Sequence, residues 1–140
     1  MIILDTNVVS EPLKPAGDPR VAAWIDRQRI DSLYLTAVNV SELLLGVERL
    51  PIGQRRSRLD ARIGDIINVF GPARILPFGM TAARHFAVLI SRARAAGYAT
   101  QVADGQIAAI AAAHGFAVAT RDTTPFVAAG IAVINPWEEA

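Results

Sequence analysis

Residues 1–7, Met1-Ile2-Ile3-Leu4-Asp5-Thr6-Asn7, and residues 116–122, Phe116-Ala117-Val118-Ala119-Thr120-Arg121-Asp122, share one pattern: a short, uninterrupted apolar run that ends on polar side chains and a carboxylate. A run that is apolar at every position suits a strand buried on both faces, the situation of a parallel sheet covered by helices. Working outward, Met1–Leu4 reads as the first strand and Leu33–Leu35 as a second, short one. Between them Pro19–Gln28 reads as a helix, with Val21, Trp24 and Ile25 on one face and proline near its start. Val40, Leu43, Leu44 and Val47 recur at helical spacing in a segment ending before Pro51, and Gln54–Val69 continues as another helix stopped by Gly71-Pro72. Ile75-Leu76-Pro77-Phe78 reads as a strand and Thr81–Ala96 as a helix closed by Gly97. Val102–His114 is an alanine-rich helix closed by Gly115. Phe116–Ala119 and Ile131–Ile134 supply the last two strands, on either side of a short helix near Thr124–Ala129. Strands alternating with helices predict an α/β fold whose mostly parallel sheet is covered on both faces.

The totals bound the function. A chain of 140 residues with 52% apolar and 19% charged residues predicts one domain, spanning 1–140, with a packed core. The absence of cysteine removes disulfide scaffolds, thiolate metal sites and cysteine nucleophiles, and fits a reducing, cytoplasmic setting. The opening residues lack both a basic region and a long apolar stretch, so no signal peptide is expected, and no later stretch is long enough to span a bilayer. A net charge of +1 gives no global pull towards nucleic acid. Of the 14 basic residues only Lys14 is lysine, a bias that suits bidentate phosphate contacts but equally reflects base composition.

Four acids fall at special places in this pattern. Asp5 follows the first strand, Asp122 the fourth, Glu42 lies in the first turn of the helix after the second strand, and Asp104 near the start of the Val102–His114 helix. In an open parallel sheet, functional groups gather at the carboxyl ends of the strands, beside the helix N-termini. Singly, each acid has an ordinary explanation: Asp5 and Asp122 as helix caps, Glu42 as partner of Asn39 in a capping box, and Asp104 as a complement to the helix dipole. Together they would repel and raise one another's pKa unless a cation neutralises them. No lysine lies near, and Arg121 alone cannot balance four acids. A hard divalent cation with oxygen ligands, Mg²⁺ or Mn²⁺ rather than Zn²⁺, resolves the conflict.

The same residues carry a family resemblance. Residues 3–11, Ile-Leu-Asp-Thr-Asn-Val-Val-Ser-Glu, resemble the opening of PIN-domain ribonucleases, particularly VapC/FitB-type toxins of bacterial toxin–antitoxin modules. Val40-Ser41-Glu42-Leu43-Leu44-Leu45-Gly46-Val47 is similar to the second acidic motif, residues 103–111 around Asp104 to the third, and Ala119-Thr120-Arg121-Asp122 to the fourth, with Asn135-Pro136-Trp137 near the end. The resemblance implies a three-layer α/β/α sandwich around a central, mostly parallel sheet of about five strands. It implies Mg²⁺- or Mn²⁺-dependent cleavage of RNA, with Asp5, Glu42 and Asp104 as the core acids and Asp122 at a more variable position. Thr6, Asn7 and Thr120 then orient ligands or waters beside the acids. The implied partners are RNA, a cognate antitoxin that binds DNA, and a second copy of the chain within the complex. Gly105 departs from the family pattern, where bulkier residues are frequent, and is expected to loosen its helix start.

Other chemistries fit less well. A receiver-type phosphoacceptor domain needs a lysine late in the chain, and a haloacid-dehalogenase phosphatase wants aspartate where Asn7 stands. A DNA-cleaving relative and a non-catalytic binding module remain as alternatives. His85 and His114 have no partner at ligand spacing and read as structural, Arg55, Arg58 and Arg62 as a solvated helix face, and the apolar residues around Val40–Val69 as either core or a partner surface.

Overall fold

The five apolar runs become five parallel strands in the computed structural model, which describes residues 1–139. They are β1 (Ile2–Leu4), β2 (Leu33–Thr36), β3 (Ile75–Leu76), β4 (Ala117–Ala119) and β5 (Val133–Ile134), in the order β3-β2-β1-β4-β5. Seven helices connect them among the described residues: α1 (Thr6–Ser10), α2 (Pro19–Arg27), α3 (Ala37–Glu48), α4 (Gln54–Phe70), α5 (Met80–Ala95), α6 (Val102–His114) and α7 (Thr124–Ala128). None is long and apolar enough to cross a membrane.

Side chains alternate across a strand, so each strand feeds two cores. Leu4, Leu33, Leu35 and Ala119 pack on one side with Val8, Trp24, Leu43, Val47 and Ile63 from α1 to α4. Ile3 and Val118 pack on the other, with Ala82, Ile107, Ile110 and Phe126 from α5, α6 and α7. This is the expected three-layer α/β/α sandwich.

The strand order positions the site. From β1 the chain steps to β2 and then β3, and only later crosses back to lay β4 on the far side of β1. The winding reverses between β1 and β4, so the connections leaving their carboxyl ends diverge and open a crevice, where sheets of this kind take ligands.

Several boundaries differ from the sequence reading, each for a local reason. The strand expected over Ile75–Phe78 stops at Leu76, since Pro77 has no amide for the ladder. The strands expected over Phe116–Ala119 and Ile131–Ile134 pair only over Ala117–Ala119 and Val133–Ile134. Helix α1 was foreseen only through the reading of Asp5 as a helix cap, and Asp5 does cap it by accepting the Thr6 amide at 2.8 Å. Helix α3 starts at Ala37 rather than Val40, because Thr36 and Asn39 form the capping box that Asn39 and Glu42 were expected to form. Glu42 therefore stands in the second turn of α3, not the first. Gly105 does not loosen α6: it is buried, and a Cβ there would meet Ile90 Cδ1 at 2.8 Å and Phe86 Cε2 at 3.0 Å, so glycine lets α5 and α6 approach.

Candidate active site

Asp5 is the centre of the crevice. It leaves the buried end of β1, its amide donating to the Ala119 carbonyl of β4 at 2.9 Å, and its residue is only 6% exposed. A carboxylate this buried needs its oxygens satisfied. Oδ1 accepts the Thr6 amide at 2.8 Å and, more weakly, the Asn39 side-chain amide at 3.5 Å, while Oδ2 accepts the Thr120 hydroxyl at 2.8 Å.

Both flanks of Asp5 are built by hydroxyls. On the β2 side Thr6 donates its hydroxyl to Glu42 Oε1 at 2.8 Å and accepts the Asn39 side-chain amide at 3.1 Å. Asn39 is wholly buried, its Oδ1 accepting the Thr36 amide and hydroxyl, so the capping box of α3 also aims its Nδ2 at Asp5 and Thr6. On the β4 side the Thr120 hydroxyl accepts the Asp122 amide at 3.1 Å and the Asn7 side-chain amide at 3.5 Å. Asn7 Oδ1 in turn accepts the Arg121 amide at 3.3 Å. No buried side-chain nitrogen or oxygen among the described residues lacks a partner.

The sequence-predicted acids differ in how the fold treats them. Asp5 is buried, Asp104 half-buried in the first turn of α6, and Glu42 and Asp122 exposed. Burial raises the Asp5 carboxyl above its ordinary range; hydrogen bonds from Thr120 and Thr6 oppose this, and the charges of Glu42 and Asp122 reinforce it. Asp104 is pushed up to about 6, first by burial and then by the charges of Asp5, Asp122 and Glu42. The four acids thus share one field. Ion pairs among the described residues go to Glu11, Asp18, Asp31 and Glu48, and none reaches a site carboxylate.

That chemistry fits a hard divalent cation: oxygen donors, negative charge that no ion pair among the described residues compensates, and an Asp104 carboxyl raised by burial and by its neighbours' charges. No three histidine or acidic side chains among the described residues form a ready-made metal cage. Mg²⁺ commonly keeps several waters and takes only one or two carboxylates, so an incomplete protein shell is compatible with it.

Other residues fall differently from their sequence reading. Asp122 does not cap α7, which has Thr123 at its N-cap and no side-chain cap bond. Asn39 was read only as a cap; the signal that would have found it is Thr36-x-x-Asn39 directly after a strand. Arg62 is not simply solvated, because it donates to the Pro12 and Leu13 carbonyls and ties α4 to the segment after α1. Arg55, Arg58 and Arg62 also line a groove of about 850 Å³ that starts at Thr6 and Glu42. His114 stacks near Phe116, 5.2 Å between ring centres, at the opposite end of α6 from Asp104. Leu44, Leu45, Ile52 and Val69 are exposed rather than core.

Comparison with known proteins adds four relationships. A family model described as PIN domain matches residues 2–131. The chain is 50% identical to the VapC ribonuclease Y4jK of Sinorhizobium fredii over the full length of both, and 45% identical to the toxin FitB of Neisseria gonorrhoeae over 99% of this chain and 100% of that one. A solved structure, FitAcB from Neisseria gonorrhoeae, superposes with a TM-score of 0.95 at 46% identity, covering 99% of this chain and 100% of that chain.

Proposed function

The chain belongs to the PIN-domain family, and from that premise we propose that it is a metal-dependent endoribonuclease, the toxin of a type II toxin–antitoxin module acting in the cytoplasm. The observation that carries the nuclease reading is the gathering of four acids at the sheet's switch point with no ion pair to any of them among the described residues, where burial first and then the charges of the other three raise the Asp104 carboxyl to about 6. The toxin reading rests on close similarity to the FitB toxin over nearly the whole chain.

Asp5, Asp104 and Glu42 would hold Mg²⁺ or Mn²⁺, with Asp122 acting through water. Such a cation supplies charge stabilisation at a phosphate oxygen and lowers the pKa of water. The chain's own residues do the orienting. Thr120 and the Thr6 amide fix both oxygens of Asp5, and the Thr6 hydroxyl fixes Glu42. Asp122, on the Thr120 side, positions the water that attacks phosphorus in line with the leaving 3′-oxygen. His114 takes no part, since it lies at the far end of α6. Asn7 and Thr120 together keep the turn after β4 against Asp5.

A small antitoxin covering the site, with its own DNA-binding segment, and pairing of two copies of the chain complete the reading. The test is cleavage of RNA by the purified chain with Mg²⁺, with Mn²⁺ and with chelator, alongside single-stranded DNA. RNA cut only with metal, and lost in Asp5→Asn and Asp104→Asn with the fold retained, is the expected result. Full activity in either variant overturns the site, and preferential cutting of DNA overturns the substrate.

A further inference from the structure

Two clefts lie beside the acids. On the β2 side the groove of about 850 Å³ begins at Thr6 and Glu42. On the β4 side a second, more polar cleft of about 810 Å³ runs between the segment 16–20 and the C-terminal turn, lined by Gly17, Asp18, Arg20, Arg121, Asn135 and Trp137 among others. Its link to the acids is one residue long: Arg121 stands between Thr120 and Asp122, with its amide on Asn7.

The charged groups of this cleft, Glu11, Asp18, Arg20, Arg121 and the exposed Glu138 on the C-terminal turn, are not equally committed. Glu11 is held by Lys14 at 2.9 Å and by the Asp18 amide at 3.0 Å, and the Asp18 carboxylate is taken by Arg20 at 2.7 Å. Arg121 is exposed, and its guanidinium carbon lies over the Trp137 ring, 5.2 Å from its centre. Trp137 itself is buried, part of the core beneath β1 and β4. Gly17 sits so close to the Glu11 carbonyl that no side chain fits there, which fixes the opposite wall. A guanidinium seated on a fixed ring keeps its other face for a planar group, and its remaining N–H groups for a phosphate.

We propose that this cleft is a nucleotide subsite for the single-stranded RNA that flanks the cut, with Arg121 on Trp137 as the stacking platform for a base and as the donor to its phosphate. This rests on the ribonuclease reading above. A strand entering over Glu42 and crossing Asp5 along the sheet's edge leaves past Arg121, because β2, β1 and β4 are neighbours in that order.

The experiment compares wild type, Arg121→Gln and Arg121→Lys on three substrates: the dinucleotide found at the cut, and the same dinucleotide extended by several nucleotides on its 5′ or its 3′ side. Arg121→Gln is expected to raise KM about five- to tenfold for RNA extended on one of the two sides. It leaves kcat and cleavage of the dinucleotide unchanged. Arg121→Lys, which keeps the charge and loses the plane, recovers only part of the loss. Full recovery by lysine overturns the stacking platform. Equal losses on the dinucleotide, or none on any substrate, overturn the subsite. A wild type that cuts no RNA at all overturns the ribonuclease reading itself and this proposal with it, a failure visible before any variant is compared.

Discussion

Thr120 donates its hydroxyl to Asp5 Oδ2 at 2.8 Å and, through the same oxygen, accepts the Asp122 amide at 3.1 Å. One buried hydroxyl thus sets the orientation of the central carboxylate and the path of the chain leading to another. Losing it takes the donor from one oxygen of a carboxylate whose residue is only 6% exposed.

Thr120→Val, equal in shape, is therefore expected to cost about 1–3 kcal/mol of stability at neutral pH, and Thr120→Ser to recover most of it. Without the hydroxyl the Asp5 carboxyl rises further, since Thr120 is the largest influence lowering it. Urea denaturation at pH 7.5 and at pH 5 checks both effects: the deficit of the valine variant shrinks on acidification, the direction that favours the protonated Asp5 carboxyl, which needs the donor less.

In the metal-free protein, stability should rise on acidification. The Asp104 carboxyl goes from an ordinary 3.8 to about 6 on folding, so the native state binds the proton more tightly than the unfolded state. Stability is then highest below the unfolded value and falls as pH rises through about 6. Going from pH 7.5 to pH 5 should gain on the order of 1 kcal/mol, and Asp5, also raised, adds in the same sense. Glu11 and Asp18 have lowered values and act oppositely, but only in more acid solution. Melting in the presence of chelator tests this, and Asp104→Asn should flatten the profile while raising stability at pH 7.5.

Gly105→Ala places a methyl against Ile90 Cδ1 and Phe86 Cε2. The end of the Ile90 side chain can move but the phenyl ring has less room, so a loss of about 1–2 kcal/mol is expected. Ile90→Val in the same chain should return part of it. Additive losses in the double variant would show that the two do not share the space.

Arg74 ties three carbonyls together: Leu33 at 3.0 Å, Val69 at 2.8 Å and that of Ile30, while lying over Phe70. It joins the end of α4 to the start of β2. Arg74→Met keeps the apolar stem and should cost about 1–3 kcal/mol through the lost charge-assisted bonds. Lysine should not rescue it, since one ammonium cannot reach three carbonyls in a fixed plane. Denaturation midpoints at constant m-value give the comparison.

Much of the architecture was legible because its signals are local. Helix α6 matches its expected bounds, Val102–His114, since Gly115 ends it in the left-handed conformation at φ 69°. The strand after Arg74 was read too long because its apolar character continues past Pro77, where hydrogen bonding cannot. Helix α1 is five residues long and carries no period to read; its cause is a single capping bond from Asp5.

Within the site, the acids were legible as carboxylates at the ends of strands and starts of helices. The role of Asn39 was not. Its cap was assigned to the wrong partner, and the hydrogen bonds it sends to Asp5 and Thr6 cross 34 and 33 residues of chain. Arg121 was weighed only as a charge beside the acids, because nothing in its neighbourhood in sequence announces Trp137.

The sequence by itself determined that apolar runs alternate with helical repeats and that carboxylates stand where the runs end, since side-chain period and caps are properties of neighbouring residues. Only the tertiary structure decided that β4 lies against β1 and not beside β3, which brings Thr120 to Asp5 across 115 residues. Strand pairing is chosen by how two cores fill from distant parts of the chain, and no local pattern records that choice.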